Sequence, residues 1–302
     1  MTRTHPTRCL RAPRALVAAA AVACLAAGPT AWAAQAGDLA QVVEGNEAIA
    51  PSGEEATIDH GHVDIGAQVI DGQAEFLARD DSQPQPVWRH LDDVVFRVGD
   101  VAQLTVPDDD EFSFVGAEGS SPVWTVPQTE IADVPWLGWN TQAPSLVEAV
   151  DRGVDMEFLG HSGPGEFSLF LQNGGFEPPE VLWSTTAGKA DSFWVDSGTH
   201  THANWVFTQP GIHQVGIRLH AQTHSGEDLS TDGILTFAVG SAADADPAQA
   251  HQAQWNPAAA RTGAEDGPAP RWLIGAGLAV AALVVLAVVA VVLRRRKGHD
   301  HA

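Results

Sequence analysis

The sequence predicts an all-β protein: an antiparallel β-sandwich of immunoglobulin-like type, held outside a membrane by a single C-terminal transmembrane helix. Three observations predict it. From about Thr57 to Gly240, apolar residues recur in short alternating or continuous runs separated by Gly, Pro, Asp and Asn, with little helical periodicity. Trp272 to Leu293 contains no charge and is closed by Arg294, Arg295, Arg296 and Lys297. Both cysteines, Cys9 and Cys24, fall in the N-terminal targeting segment, so the exported part has neither disulfides nor thiolate ligands and must be held by its core.

Residues 1–36 carry Arg3, Arg8, Arg11 and Arg14, an apolar run from Ala15 to Ala27 and a small-residue cleavage pattern at Ala31-Trp32-Ala33, the order of a secretory signal peptide. Lipidation at Cys24 is disfavoured, because the residues just before it, Ala21-Val22-Ala23, lack a leucine and the apolar stretch continues after it. Residues 37–56 read as a polar leader. Within 57–240 the clearest strands are 62–70, 74–78, 93–98, 122–126, 154–160, 166–172, 200–207, 212–221 and 233–239, while 145–150 suggests one helical turn. Residues 241–271 are rich in Ala, Pro, Asp, Gln and Gly and nearly devoid of large apolar side chains, the composition of a flexible acidic stalk. Residues 272–293 reach roughly 33 Å as a helix, enough for a hydrocarbon core of about 30 Å. The basic tail, 294–302, belongs on the cytoplasmic side, which makes the chain a single-pass, type I protein of the cell membrane with an extracellular ectodomain.

The formal charge is −22, and most basic residues sit at the two ends, so the middle of the chain is more acidic still. Such a surface repels nucleic acid and anionic lipid, attracts cations and keeps an exported protein soluble.

The metal-ligating pattern lies in two stretches. In HTHANWVF (200–207), strand alternation sends His200, His202 and Asn204 to one face and Ala203, Trp205 and Phe207 to the core. In HGHVDI (60–65), His60, His62 and Asp64 share a face opposite Val63 and Ile65. Imidazoles from alternate strand positions can lean together on one ion, and Asp64 or Asn204 can either ligate it or hold an imidazole N–H. His161, in the glycine-rich GHSGPG, is placed to close such a site from a loop, and His220 lies on the polar face of 212–221. His213 shares that strand's apolar face with Val215, Ile217 and Leu219, the place of a hydrogen-bonded core-edge residue. The candidate set is therefore His60, His62, Asp64, His161, His200, His202, Asn204 and His220. Nitrogen-rich ligation favours zinc, with manganese the alternative.

Other chemistry is less well supported. Asp108 to Glu111 lacks the spaced pattern of a calcium loop and reads as a solvated turn before a strand at 112–115. Trp136 and Trp139, in VPWLGWNTQ, have a loop-like context, where exposed rings could stack on sugars; packing is favoured. That loop carries the alternative function, a cell-wall-binding or adhesive β-sandwich. A zinc hydrolase is disfavoured, because Ile65 stands where H-x-H-x-D-type sites continue with histidine and no serine elbow or H-E-x-x-H helix is present. A haem site would lack tyrosine as an axial ligand.

GHVDIG (61–66), PVWTVPQTEIADVPWLGWNTQ (122–142), SGPGEFSLF (162–170), SGTHTHANWVFTQPGIHQVGIRLHA (197–221) and FAVG (237–240) together resemble the actinobacterial surface-anchored protein domain, also called the choice-of-anchor M domain. Its members are exported, carry interchangeable anchors and are often associated with metal-type ABC transport systems. The resemblance implies an accessory surface component of such a transport system; the histidine pattern adds the expectation of a non-enzymatic domain that binds a metal ion close to the cell wall and hands it to the transporter or its binding protein. It carries over His62, Asp64, His200, His202 and Asn204; His60 and His161 are this chain's own additions.

Overall fold

Valine, isoleucine, phenylalanine and tryptophan at alternate positions commit these runs to strands, where branched and aromatic side chains pack well on a pleated surface. The computed structural model describes residues 41–174, 177–187, 192–241, 243 and 245–263. The signal segment, the transmembrane segment expected at 272–293 and the basic tail lie outside the described residues. Among the described residues, no helix is long and apolar enough to cross a membrane. All elements below belong to the unit that begins at Val43.

The strands form three sheets. The first holds, in order of neighbours, β1 (Ala48–Ile49), β5 (Val87–His90), β4 (Gln73–Asp80), β3 (Gly61–Ile70), β9 (Pro135–Asn140) and β14 (His200–His202). The second holds β13 (Ser192–Asp196), β10 (Gly153–Ser162), β16 (Gly211–Gln222), β17 (Asp228–Val239), β6 (Val94–Val98) and β2 (Ala56–Ile58). The third holds β12 (Glu180–Ser184), β11 (Phe167–Leu171), β15 (Asn204–Phe207), β8 (Pro122–Val126) and β7 (Gln103–Thr105). Their inner faces meet in one continuous core. Ile65, Leu77, Trp88 and Leu137 come from the first sheet, Phe96, Ile217 and Phe237 from the second, and Phe167, Leu169, Trp183 and Trp205 from the third. Each such side chain contributes about 1.5–3 kcal/mol on burial.

The all-β expectation holds, with several sheets, but the pairing is not purely antiparallel. β1 with β5, β2 with β6, β17 with β6 and β3 with β9 run parallel. Alternation along a strand reports which face is buried and carries no information about the direction of its neighbour.

Four segments differ from expectation. PWLGWN (Pro135–Asn140) is strand β9 rather than a loop, flanked by β3 and β14. Residues Asp110–Val115 form a 3-10 turn instead of a strand, capped by the Asp109 carboxylate, which accepts from the Glu111 amide at 3.0 Å. The leader is partly built into the fold, because β1 pairs with β5 and Glu47 is buried beneath it. The segment taken as a flexible stalk packs on the body as far as residue 263. Ala245 and Ala250, at the ends of a short helix α2 (Pro247–Ala250) and its approach, join a buried cluster with Val95 and Ala238. Arg261 exchanges two backbone hydrogen bonds of 2.9 Å with His161, and its guanidinium holds Glu166 at 2.9 and 3.0 Å. Small alanines suit a close approach to a sheet, so a scarcity of large apolar residues was a poor guide to packing here. The helical turn expected at 145–150 is present as α1 (Pro144–Ala149).

Candidate metal centre

Three neighbouring strands of the first sheet build the site. Strand β9 is the middle one: its Gly138 lies opposite Asp64 on β3 and opposite His202 on β14, while Trp136 faces His62 and Asn140 faces His200. Residues two apart share a face, so His62, Asp64, Trp136, Gly138, Asn140, His200 and His202 all stand on one side of the sheet. Val63, Leu137 and Trp139 enter the core on the other.

On that face the Nε2 atoms of His62, His200 and His202 form a nearly equilateral triangle. The edges are 3.2 Å (His62 to His200), 3.0 Å (His62 to His202) and 3.1 Å (His200 to His202). Asp64 is fully buried above it. Its Oδ2 is 3.1 Å from His200 Nε2, and its Oδ1 is 3.6 Å from His62 Nε2 and 3.9 Å from His202 Nε2. Asn140 donates to Oδ2 at 3.1 Å. Oδ1 has no hydrogen-bond partner.

Gly138 makes this approach possible. A Cβ there would lie 2.5 Å from Asp64 Oδ1 and 2.9 Å from His202 Cε1, so any larger residue would displace the carboxylate or the imidazole.

The outer contacts fix the rings. His62 Nδ1 donates to Asp81 Oδ1 at 2.7 Å, which leaves the Nε2 lone pair of the neutral ring directed into the triangle. Arg79 donates to Asp81 Oδ2 at 2.7 Å and, through Nε and Nη2, to both oxygens of Glu47 at 2.7 Å each. Trp88 Nε1 adds a bond to Glu47 at 2.9 Å. The indole of Trp136 stacks on His202, with centroids 4.0 Å apart and planes inclined by 12°, and its own N–H is taken by the Gln128 carbonyl at 3.0 Å.

Electrostatics separates the histidines. Burial works to lower the His62 pKa, but the Asp81 hydrogen bond and the charges of Asp64 and Asp81 outweigh it and raise it above the ordinary value. Burial pushes His202 down to about 3, against a weaker pull from Asp64. Burial works to raise the Asp64 pKa, but the His200 hydrogen bond and the surrounding imidazoles keep it below the usual carboxylate range.

No protein-family model, curated protein or solved structure matches this chain.

The arrangement fits a transition-metal ion. Nitrogens at 2.0–2.1 Å around a tetrahedral ion are separated by about 3.3 Å, close to the edges of the triangle. Three convergent imidazole nitrogens and a buried carboxylate oxygen without a partner are four donors of the types that such an ion takes, and the cluster could hold one.

The other candidates lie elsewhere. His60 is exposed and bonded to Asp59 at 2.5 Å. Gly61, which adopts φ +80°, is the first residue of β3, so His60 lies outside the strand and its alternation. Asn204 belongs to a different sheet from His202: the chain leaves β14 at the buried Ala203 and enters β15, where Asn204 Oδ1 accepts from the Gln128 amide at 3.0 Å. His220 is near Asp228, at 3.5 Å on the outer surface. His161 is buried against His213, with Nε2 2.9 Å from His213 Nδ1, and His213 Nε2 in turn donates to the Gln209 carbonyl at 3.0 Å. His213 is thus a hydrogen-bonded core residue, as expected, and His161 is its partner. Sequence reasoning missed Asp81, Arg79, Glu47, Asn140 and Gly138. The register between β3, β4 and β9 brings Asp81, Arg79, Asn140 and Gly138 to the site, and the pairing of β1 with β5 brings Glu47; no local spacing reports either.

The tryptophans expected to be available to sugars are engaged. Trp139 is buried, and Trp136 is part of the centre itself.

Proposed function

We propose that this protein is a non-enzymatic metal-binding domain that takes zinc, with manganese the weaker alternative, at His62, His200, His202 and Asp64. The observation that carries this reading is the triangle of Nε2 atoms with edges of 3.0–3.2 Å, capped by a buried carboxylate oxygen that has no other partner. Three imidazoles and one carboxylate suit zinc better than manganese, which prefers oxygen. Four protein donors, three of them almost wholly buried, favour holding an ion over activating a water on it, because catalytic zinc sites keep a position open.

The wider setting is proposed on sequence features alone. The signal segment and the apolar run 272–293 support export and membrane anchoring, and the acidic surface supports capture of cations near the wall. The resemblance to the choice-of-anchor M domain supports an accessory role beside a metal ABC transport system.

Elemental analysis and calorimetric zinc titration of the purified protein test the binding. One zinc per chain is expected, with binding lost in a His200→Ala, His202→Ala variant. Equal zinc uptake by the wild type and that variant would refute the assignment.

A further inference from the structure

Of the tryptophans among the described residues, only Trp194 is exposed, at 46%. It stands on β13, an edge strand of the second sheet, with Phe193 and Val195 on either side of it turned to the core. The ring is held in one place. Its N–H donates to Asp196 Oδ1 at 2.7 Å, and it lies down over Gly153, where a Cβ would be 2.8 Å from Cζ2. Arg152 approaches from the turn before β10, with its guanidinium carbon 5.9 Å from the ring centroid, near the outer limit of a cation–π contact. An apolar ring fixed at the surface, its freedom already restrained, is preorganised for a ligand.

The neighbours across the sheet are polar and in register. Trp194 lies opposite Asp155 on β10, Asp155 opposite His220 on β16, and His220 opposite Ser230 on β17. Val154, Met156 and Leu219, adjacent along these strands, are in the core, so the row stands on the outer face. Side chains paired in this way have Cβ atoms about 4.5–5.5 Å apart, and the row crosses the sheet in roughly 14 Å, three strand spacings. Asp155 is partly buried, and among the described residues its carboxylate makes no hydrogen bond or ion pair. The charges of the next row, by contrast, are engaged: Arg218 donates to both oxygens of Asp232 at 2.7 and 2.9 Å.

We propose that the outer face of β13, β10, β16 and β17 is a binding platform for an uncharged oligosaccharide, separate from the metal centre. A sugar ring offers C–H bonds on its flat face and hydroxyl donors around its rim. Trp194 takes the face, and Asp155 accepts a rim hydroxyl in a charge-assisted bond, with His220 and Ser230 the next polar groups along the row. Other ligand classes fit less well. A chain of formal charge −22 repels phosphates, sulfates and acidic sugars. A stable protein interface has an apolar centre of several side chains, whereas here one ring is surrounded by Asp155, Asp196 and Arg152.

The test is calorimetric titration of the purified protein in EDTA, which takes the metal centre out of play. The probes are uncharged oligosaccharides of glucose, mannose, galactose and N-acetylglucosamine, with oligogalacturonate as the acidic counterpart. At least one uncharged probe is expected to bind, and the acidic one is not. Trp194→Ala should lose at least about tenfold in affinity for the bound probe, as removal of an aromatic anchor does, and Asp155→Ala should weaken it several-fold. No binding of any uncharged probe, tighter binding of the acidic one, or unchanged affinity in a folded Trp194→Ala would each overturn the inference, whatever the outcome for zinc. Circular dichroism reports folding; should Trp194→Ala not fold, Asp155→Ala decides, and wild-type affinity in that variant is then the overturning result.

Discussion

In the proposed centre, His62 is the donor at which protons and a metal ion would compete. Its pKa is raised by Asp81 and Asp64, so a proton begins to occupy Nε2 at a pH already above the ordinary 6.5, whereas His202, held near 3, offers no competition in that range. Zinc affinity should therefore fall as pH drops from about 7.5 to about 5, by about tenfold per pH unit for each proton displaced. Titrations across that range check this, and a flat profile would contradict ligation by His62. Gly138 sets a steric limit. Gly138→Ala places a methyl 2.5 Å from Asp64 Oδ1 and 2.6 Å from the Thr201 carbonyl of the neighbouring strand and should cost at least tenfold in zinc affinity, measured by calorimetry, with circular dichroism reporting whether the fold is kept. The His161–His213 pair acts on stability instead. Burial holds these two at about 2 and about 4, below the 6.5 of the unfolded chain, so the unfolded state takes up protons first. Their contribution is complete above about pH 6.5 and is lost as pH falls through about 4 and then about 2, at about 1.4 kcal/mol per pH unit for each neutral histidine. Urea unfolding with a chelator present, from about pH 6.5 to about pH 4.5, should show this slope, and His161→Phe should make it shallower by one proton.

At the scale of the element, β14 is the edge of its sheet and pairs with β9 through only three residues, His200, Thr201 and His202. Two of those three are proposed donors. A bound ion would tie this short edge to β3 across β9, so zinc should slow amide exchange at 200–202 far more than in β16 and β17, which are paired over their whole length. Hydrogen exchange with and without zinc measures it; uniform protection would contradict the clamp. This element also marks how far the sequence could be read. The two H-x-H pairs were visible, and so was the alternation that buries Val63 and Ile65 behind the ligands. Alternation failed where the backbone departs from it, at Gly61 with its positive φ and at Ala203 where the chain changes sheets, and these two breaks remove His60 and Asn204 from the site. β9 was hidden for another reason: proline and glycine within it resemble a loop, although it is the strand that carries the register of the whole centre.

For the whole molecule, short alternating runs were enough to give an all-β fold with a tryptophan- and phenylalanine-rich core, but neither the number of sheets nor the parallel pairings. Those depend on which distant strands meet, and local periodicity does not encode that. Residues 245–263 are likewise a long-range feature, docked through Trp255 against Gly216 and through Arg261 against His161 and Glu166. A chain ended at Gly240 should melt at a lower temperature than one ended at Gly263, and equal melting temperatures would show that the docked segment adds nothing. The chain contains ten tryptophans and no tyrosine, so its ultraviolet emission belongs to indole alone. Because Trp136 lies flat on His202, 4.0 Å from a proposed ligand ring, one of those emitters is in electronic contact with the centre. Paramagnetic Co²⁺ or Cu²⁺ should quench that emission while closed-shell Zn²⁺ does not, which makes the fold its own fluorescent metal sensor.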